Sequence, residues 1–149
     1  MEVVFRCRFE APAVHTLLDA AGLAPGGLAQ QVVDSEVIRY CDPKVPFRTG
    51  ALKDSALSNT VIGSGKIVYA APYAHYLYMG EVYGPNFPIF EAGQLAGWRS
   101  PRGKPKYPTG RPLTYAGAPE RGAHWAERMD AEHHDDIVRA AAAAIGGHT

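Results

Sequence analysis

Cysteine is scarce in this chain, neither sign of charge dominates, and long hydrophobic runs do not occur. Cys7 and Cys41 are too few for a disulfide framework, and a single bridge between them is left open. The 15 basic and 15 acidic residues cancel, so no overall field favours nucleic acid or an anionic membrane. No apolar stretch approaches the roughly 20 residues of a transmembrane helix, and the chain does not start like a signal peptide. We therefore expect no contact with a membrane.

Residues for catalysis or metal binding do not occur at suitable spacings. His133 and His134 are neighbours on a predicted helix and point about 100° apart, so they cannot easily hold one ion together. The segment Gly63–Lys66 resembles a phosphate-binding loop only faintly, because Ile67 replaces the residue that would hold magnesium. We expect no enzyme activity, no cofactor and no bound metal.

Regular elements are predicted on both sides of a Pro-Gly-Gly break at 25–27. Alternating apolar residues over 3–9 predict a half-buried strand, and Pro12 opens a short helix that Gly22 closes. A second helix is predicted over Leu28–Cys41. Its apolar stripe is Ala29, Val33, Val37, Tyr40 and Cys41. Its solvent-facing residues are Gln30, Gln31, Asp34 and Arg39.

The middle of the chain predicts an irregular connection and then a hairpin. Residues 43–56 contain Pro43, Pro46 and Gly50, with Thr49 placed to cap a single turn. The β-branched runs at 57–62 and 67–71 flank a Gly-rich turn and favour a β-hairpin. Residues 73–79 predict two helical turns, with Tyr73 and Tyr76 assigned to the core.

Residues 84–120 differ in kind from the rest of the chain. They hold 7 of the 12 prolines and 6 of the 16 glycines, which predicts an extended loop or arm within a single domain of 149 residues. Five cations occur in this arm with no acid between them: Arg99, Arg102, Lys104, Lys106 and Arg111.

The last predicted element is an acidic helix over about 123–145. Trp125, Met129 and Ile137 fall on one face at 100° per residue, and Trp125 is expected to anchor the helix in the core. The acidic side chains include Glu127, Asp130 and Asp135. If copies of this chain were arranged head to tail, the arm of one subunit would cross the acidic helix of the next, a heterologous contact that can close a ring.

Four phrases then occur in a recognisable order. They are VPFRTGALKDS at 45–55, YAAPYAHYLYMG at 69–80, PLTY at 112–115 and GAHWAERM at 122–129. Together they resemble the minor capsid protein family of tailed bacteriophages, and more broadly the head–tail joining and tail-completion proteins. The resemblance covers about residues 28–135, and the segment 84–111 is longer than in shorter relatives.

This resemblance implies an α+β fold, with a small antiparallel sheet, flanking helices, the long arm and a C-terminal helix. It implies a structural protein of the virion neck that joins the head connector to the tail. The chain would act as a hexameric ring, assembled in the host cytoplasm and located in the virion. Its partners would be copies of itself, the connector and the tail-tube proteins, with DNA contact in the channel left open.

An alternative function is a nucleic-acid-contacting module that uses the basic loop 99–111. Trp98, Tyr107 and Tyr115 are interleaved with its cations, a combination that suits single strands. Candidate interface residues for the subunit or partner contacts are Arg48, Tyr78, Trp98, Arg99, Arg102, Lys104, Lys106, Arg111, Glu127, Asp130 and Asp135.

Overall fold

The protein has a mixed α+β fold. The computed structural model describes residues 2–7, 22, 24–117 and 119–146. Within these residues lie four helices and six strands, which form three two-stranded antiparallel sheets. Their bounds are β1 Val3–Arg6, α1 Leu28–Cys41, α2 Ala51–Asn59, β2 Lys66–Tyr69, α3 Ala74–Met79, β3 Glu81–Gly84, β4 Phe87–Glu91, β5 Gln94–Arg99, β6 Tyr107–Pro112 and α4 Trp125–Gly146.

The first strand and first helix follow the sequence pattern. Val3 is buried and Val4 exposed along β1, as alternation requires, so the predicted strand is confirmed over 3–6. The helix predicted over Leu28–Cys41 has the bounds of α1, and its buried positions include Val33 and Val37. The end of the predicted strand at Phe9 and the predicted helix over 12–21 lie outside the described residues.

The prediction of a hairpin over 57–71 is wrong. Residues 51–59 form α2, because Leu52 and Ala56 recur at helical spacing and both are buried. The strand β2 pairs with β1 instead, with Val3 opposite Tyr69. The Thr49 hydroxyl lies 3.4 Å from the amide nitrogen of Ala51, and the helix cap is Gly50.

Asp34 was expected to face solvent and is instead fully buried. Its Oδ2 accepts hydrogen bonds from the amides of Gly63 (2.8 Å) and Gly65 (3.0 Å), and its Oδ1 accepts one from Gln30 Nε2 (2.8 Å). Both glycines have positive φ, which turns their amides toward one carboxylate. A buried carboxylate is tolerated because three donors replace its water, and it ties the turn before β2 to α1.

The C-terminal helix provides the centre of the core. Trp125 is fully buried, and its ring meets Tyr69 and Tyr78 edge-on with centroids 5.4 and 4.7 Å apart. The expectation that Trp125 anchors the core is confirmed. Tyr73, which was also assigned to the core, is 43% exposed. It is the N-terminal cap of α3, and the buried residue of this helix is Ala74.

A network of polar contacts holds the loop after α1 against the start of α4. Lys44 is 1% exposed; its ammonium pairs with Glu132 and lies 3.7 Å from a carboxylate oxygen of Glu120. The guanidinium of Arg121 donates to the carbonyl oxygen of Asp42 (3.1 Å). The amide of Gly122 donates to the carbonyl oxygen of Lys44 (3.0 Å). These bonds fix residues 42–47 in place without regular secondary structure.

Residues 84–120 were expected to be irregular, but most residues between 84 and 112 belong to strands. β3 pairs with β6, while β4 and β5 form a separate hairpin. The hairpin turn is Ala92–Gly93, where both residues have positive φ, as a two-residue type I′ turn requires. The sequence did not predict these strands because proline and glycine are depleted in most strands, whereas here they occur in short exposed ones.

Candidate interaction surface

The hairpin of β4 and β5, residues 87–99, presents an apolar face that the described residues leave open. Residues opposite one another in an antiparallel pair point to the same face, and here Pro88 lies opposite Trp98 and Phe90 opposite Leu95. The register shifts by one residue between Ile89 and Phe90, which allows Trp98 and Leu95, three residues apart on β5, to share that face. The exposed fractions are 63% for Phe90, 56% for Trp98 and 53% for Leu95. A two-stranded hairpin has no interior of its own, so this face is available to another molecule.

The five cations of the arm do not behave alike. Arg99, Arg102, Lys104 and Arg111 are exposed and form no ion pair with any described residue. Lys106 is half-buried, and its ammonium donates to the Pro85 carbonyl oxygen (3.0 Å) and to Asn86 Oδ1 (2.7 Å). Four cations therefore remain available to a partner, whereas Lys106 fastens the arm to itself.

Three of the four phrases that carry the family resemblance meet at one groove. The groove has a volume of about 630 Å³ and is lined by residues 46–52, Tyr73, Leu77 and residues 114–116. Tyr115 closes one end, because its hydroxyl donates to the Leu77 carbonyl oxygen at 2.6 Å. Phrases that are far apart in sequence thus build one concave surface. The phrases could be identified in the sequence, but only the fold shows that they converge on one surface.

An aromatic ring and two arginines lie at the edge of this groove. Phe47 is 45% exposed and carries the Arg121 guanidinium 5.0 Å above its ring. A side chain at Gly50, where φ is +87°, would crowd the Phe47 ring at 3.3 Å. Arg48 is exposed at the rim and forms no ion pair with a described residue. A candidate interface role for Arg48 is compatible with this position.

The acidic helix α4 is less available than its sequence suggests. The imidazole Nδ1 of His134 lies 2.9 Å from Asp130 Oδ1, and His124 Nδ1 lies 2.9 Å from Glu127 Oε2. The hydrogen bond to Asp130 raises the pKa of His134. Asp135 is exposed on the same helix. Two of these acids therefore each have an imidazole nitrogen within hydrogen-bond distance, from a histidine three or four residues away in the chain.

Tyr78 is a core residue more than an interface residue. Its ring packs edge-on against Trp125, and burial, followed by the nearby Glu127 carboxylate, raises the pKa of Tyr78 to about 12. Tyr78 is partly buried and packs against the core of the protein. The other candidate residues lie on the exposed arm, on the groove rim or on α4.

The amides of the loop that resembles a phosphate-binding loop form hydrogen bonds within the protein, and the two cysteine thiols are partly or fully buried. The amides of the Gly63–Gly65 turn bind the Asp34 carboxylate, so they do not face outward to a phosphate. Cys7 and Cys41 are free thiols, and burial raises the pKa of each to about 12, which keeps both protonated at neutral pH. Among the described residues, no group of three histidine, cysteine or acidic side chains is placed to hold a metal ion.

No helix in the part of the chain that the structure describes is long and apolar enough to span a membrane. Comparison of the chain with protein-family models, with curated proteins and with solved structures finds no match.

Proposed function

We propose that this chain is a structural protein of the neck of a tailed bacteriophage virion, where it joins the head connector to the tail as an oligomeric ring. The observation that carries the proposal is the open apolar face of the hairpin, with Phe90, Leu95 and Trp98 each more than half exposed. A contiguous apolar face beside a polar surface marks a protein contact. The order of the four sequence phrases supports the proposed relationship to the minor capsid protein family.

Ring symmetry would allow several copies of a small chain to join the head connector to the tail. A surface on one copy that fits a different surface on the next generates a ring when the rotation closes. The hairpin and the groove are two such different surfaces on one chain. The exposed cations Arg102 and Lys104 would cross the acidic α4 of the next copy. The connector and the tail tube would then contact the two ends of the ring.

The mass of the protein in solution tests the proposal. Light scattering after size-exclusion chromatography is expected to give a multimer for the wild type and a monomer for Trp98→Ser combined with Phe90→Ser. Leu57→Ser is the matched control, because Leu57 is equally exposed but lies on α2. A wild-type monomer at every concentration, or a hairpin variant that assembles normally, contradicts the proposal.

Charge reversal tests the contact between the arm and the acidic helix. Arg102→Glu with Lys104→Glu is expected to weaken assembly and to flatten its dependence on salt. Lys106 is left unchanged, because its bonds to Pro85 and Asn86 would confound the result. Unchanged assembly and unchanged salt dependence would reject this contact.

A nucleic-acid-contacting role for the basic loop 99–111 is the second candidate function. It rests on the exposed cations of the arm together with the exposed rings of Trp98 and Tyr107. Titration with single-stranded and duplex DNA at several salt concentrations distinguishes the two functions. A monomer whose DNA affinity falls steeply with salt favours this alternative, whereas a ring without such affinity favours the neck protein.

A further inference from the structure

The protruding hairpin and the concave groove have complementary properties. The tip of the hairpin carries Phe90 and Leu95 next to Glu91, all of them exposed. The groove has apolar walls and carries Arg48 at its rim. At protein interfaces, anchoring aromatic and apolar side chains enter pockets near the centre, and charged groups lie more often at the surrounding rim.

The hairpin tip does not fill the groove of its own chain. Its residues remain exposed, and Phe47 and Tyr73 on the groove are exposed as well. Glu91 and Arg48 each lack an ion-pair partner among the described residues. A carboxylate beside exposed apolar residues and a cation beside exposed rings are therefore both left without an opposite charge.

From this complementarity we infer that the occupant of the groove is the hairpin tip of a second copy of this chain. Phe90 packs between Phe47 and Tyr73 of the neighbouring copy, and Glu91 pairs with its Arg48. The inference rests on the proposed ring, and it names the two surfaces that form each contact around it. Because the two surfaces differ, each copy uses its tip on one side and its groove on the other.

A charge swap tests the pairing of Glu91 with Arg48. Arg48→Glu alone and Glu91→Arg alone each place like charges at every contact, so each is expected to reduce the multimer at least tenfold. The double variant Arg48→Glu with Glu91→Arg restores opposite charges and is expected to restore assembly. The control Arg48→Glu with Glu2→Arg has the same net charge but leaves the tip acidic, so it is expected to remain dissociated.

A cross-linking experiment tests the position of the tip. Thr49 and Gln94 are exposed, at the groove and at the hairpin tip respectively. A mixture of Thr49→Cys chains with Gln94→Cys chains is expected to form a disulfide-linked heterodimer under mild oxidation. Neither variant alone is expected to form that dimer, because the residue that faces its new thiol across the contact is then Gln94 or Thr49 and not a cysteine.

The outcomes separate this inference from the proposed function. A multimer that assembles normally in both single charge variants, with no cross-linked heterodimer, overturns the hairpin-to-groove contact but leaves a ring. In that case the groove is open to a different protein of the neck. A wild-type chain that is monomeric at every concentration overturns both. Circular dichroism melting of each variant confirms that the exposed substitutions leave the fold intact.

Discussion

The body of the protein and the hairpin treat their apolar side chains in opposite ways. In the body, which comprises β1, β2, α1, α2 and α4, apolar residues form one buried cluster around Trp125. In the hairpin, residues of the same types remain in water. Burial in the body stabilises the fold, since each buried large side chain contributes about 1.5–3 kcal/mol. The hairpin gains little of this within its own chain, and its apolar residues are the ones proposed above to contact a partner.

Removal of the central ring should show the contrast most strongly. Trp125→Ala is expected to reduce the free energy of unfolding by about 3–5 kcal/mol, because a fully buried ring leaves a cavity. Urea denaturation followed by circular dichroism measures the loss. Trp125→Phe should cost less, since the indole Nε1 has no acceptor among the described residues. A loss at Trp98→Ser as large as that at Trp125→Ala would contradict the distinction between body and hairpin.

The buried carboxylate of the body should be the next most sensitive position. Asp34→Ala removes the acceptor of three hydrogen bonds and is expected to cost about 3 kcal/mol. Hydrogen exchange of the Gly63 and Gly65 amides should accelerate in this variant, which locates the loss. Glu36→Ala, which removes the ion pair of Glu36 with Arg39 on the same helix, serves as the control. Equal losses in the two variants would show that Asp34 does not hold the turn.

The buried ammonium of Lys44 should give an asymmetric result. Glu132→Gln is expected to destabilise the protein more than Lys44→Met, because only the first leaves a buried charge without its main partner. The Lys44 hydrogen bond lowers the pKa of Glu132, so its contribution is present above the ordinary glutamate pKa. That contribution is lost as the pH falls through the lowered value. Acid denaturation of both variants and the wild type measures this, and a larger loss in Lys44→Met would contradict it.

The hairpin turn offers a stabilising change that leaves the body untouched. Ala92 has φ of +49°, a left-handed conformation that costs a residue with a β-carbon about 1 kcal/mol. Ala92→Asn creates the Asn-Gly sequence that such turns favour. We expect slower amide exchange over 87–99, with the melting temperature of the body unchanged. Faster exchange across the hairpin would argue against this turn.

The smallest expected effect concerns His134 on the exposed side of α4. Asp130→Asn is expected to lower the pKa of His134 toward its ordinary value, as measured by NMR titration. A raised pKa in the folded protein stabilises it below the ordinary histidine pKa, and this contribution disappears as the pH rises through the raised value. Glu36→Gln on α1 is the control and should leave this titration unchanged.

The accuracy of the sequence predictions depended on whether a pattern is local. The bounds of α1 and the stop of α3 at Gly80 follow from apolar spacing and a left-handed glycine, both of which act within a few residues. The prediction of a hairpin was wrong because its first strand, 57–62, begins inside α2. The buried residues of that helix are only Leu52 and Ala56, so its apolar pattern in the sequence is weak. The prediction that Asp34 faces solvent was wrong because two of its three hydrogen-bond donors, the amides of Gly63 and Gly65, come from a turn about 30 residues away.

The candidate surface divides in the same way. The cations of the arm could be identified from the sequence, but the internal role of Lys106 and the histidine partners of the acids required coordinates. The groove could not be predicted, because its walls come from three separate segments.

By itself, the amino-acid sequence determined three of the four described helices (α1, α3 and α4, but not α2), which residue anchors the core and where the basic arm lies. These properties depend on side chains a few residues apart, whose relative positions the backbone geometry dictates. Only the tertiary structure decided which charges are buried or paired, which strands meet and which apolar residues stay in water. Those outcomes depend on contacts between distant segments, and water is excluded from a side chain only once such segments pack.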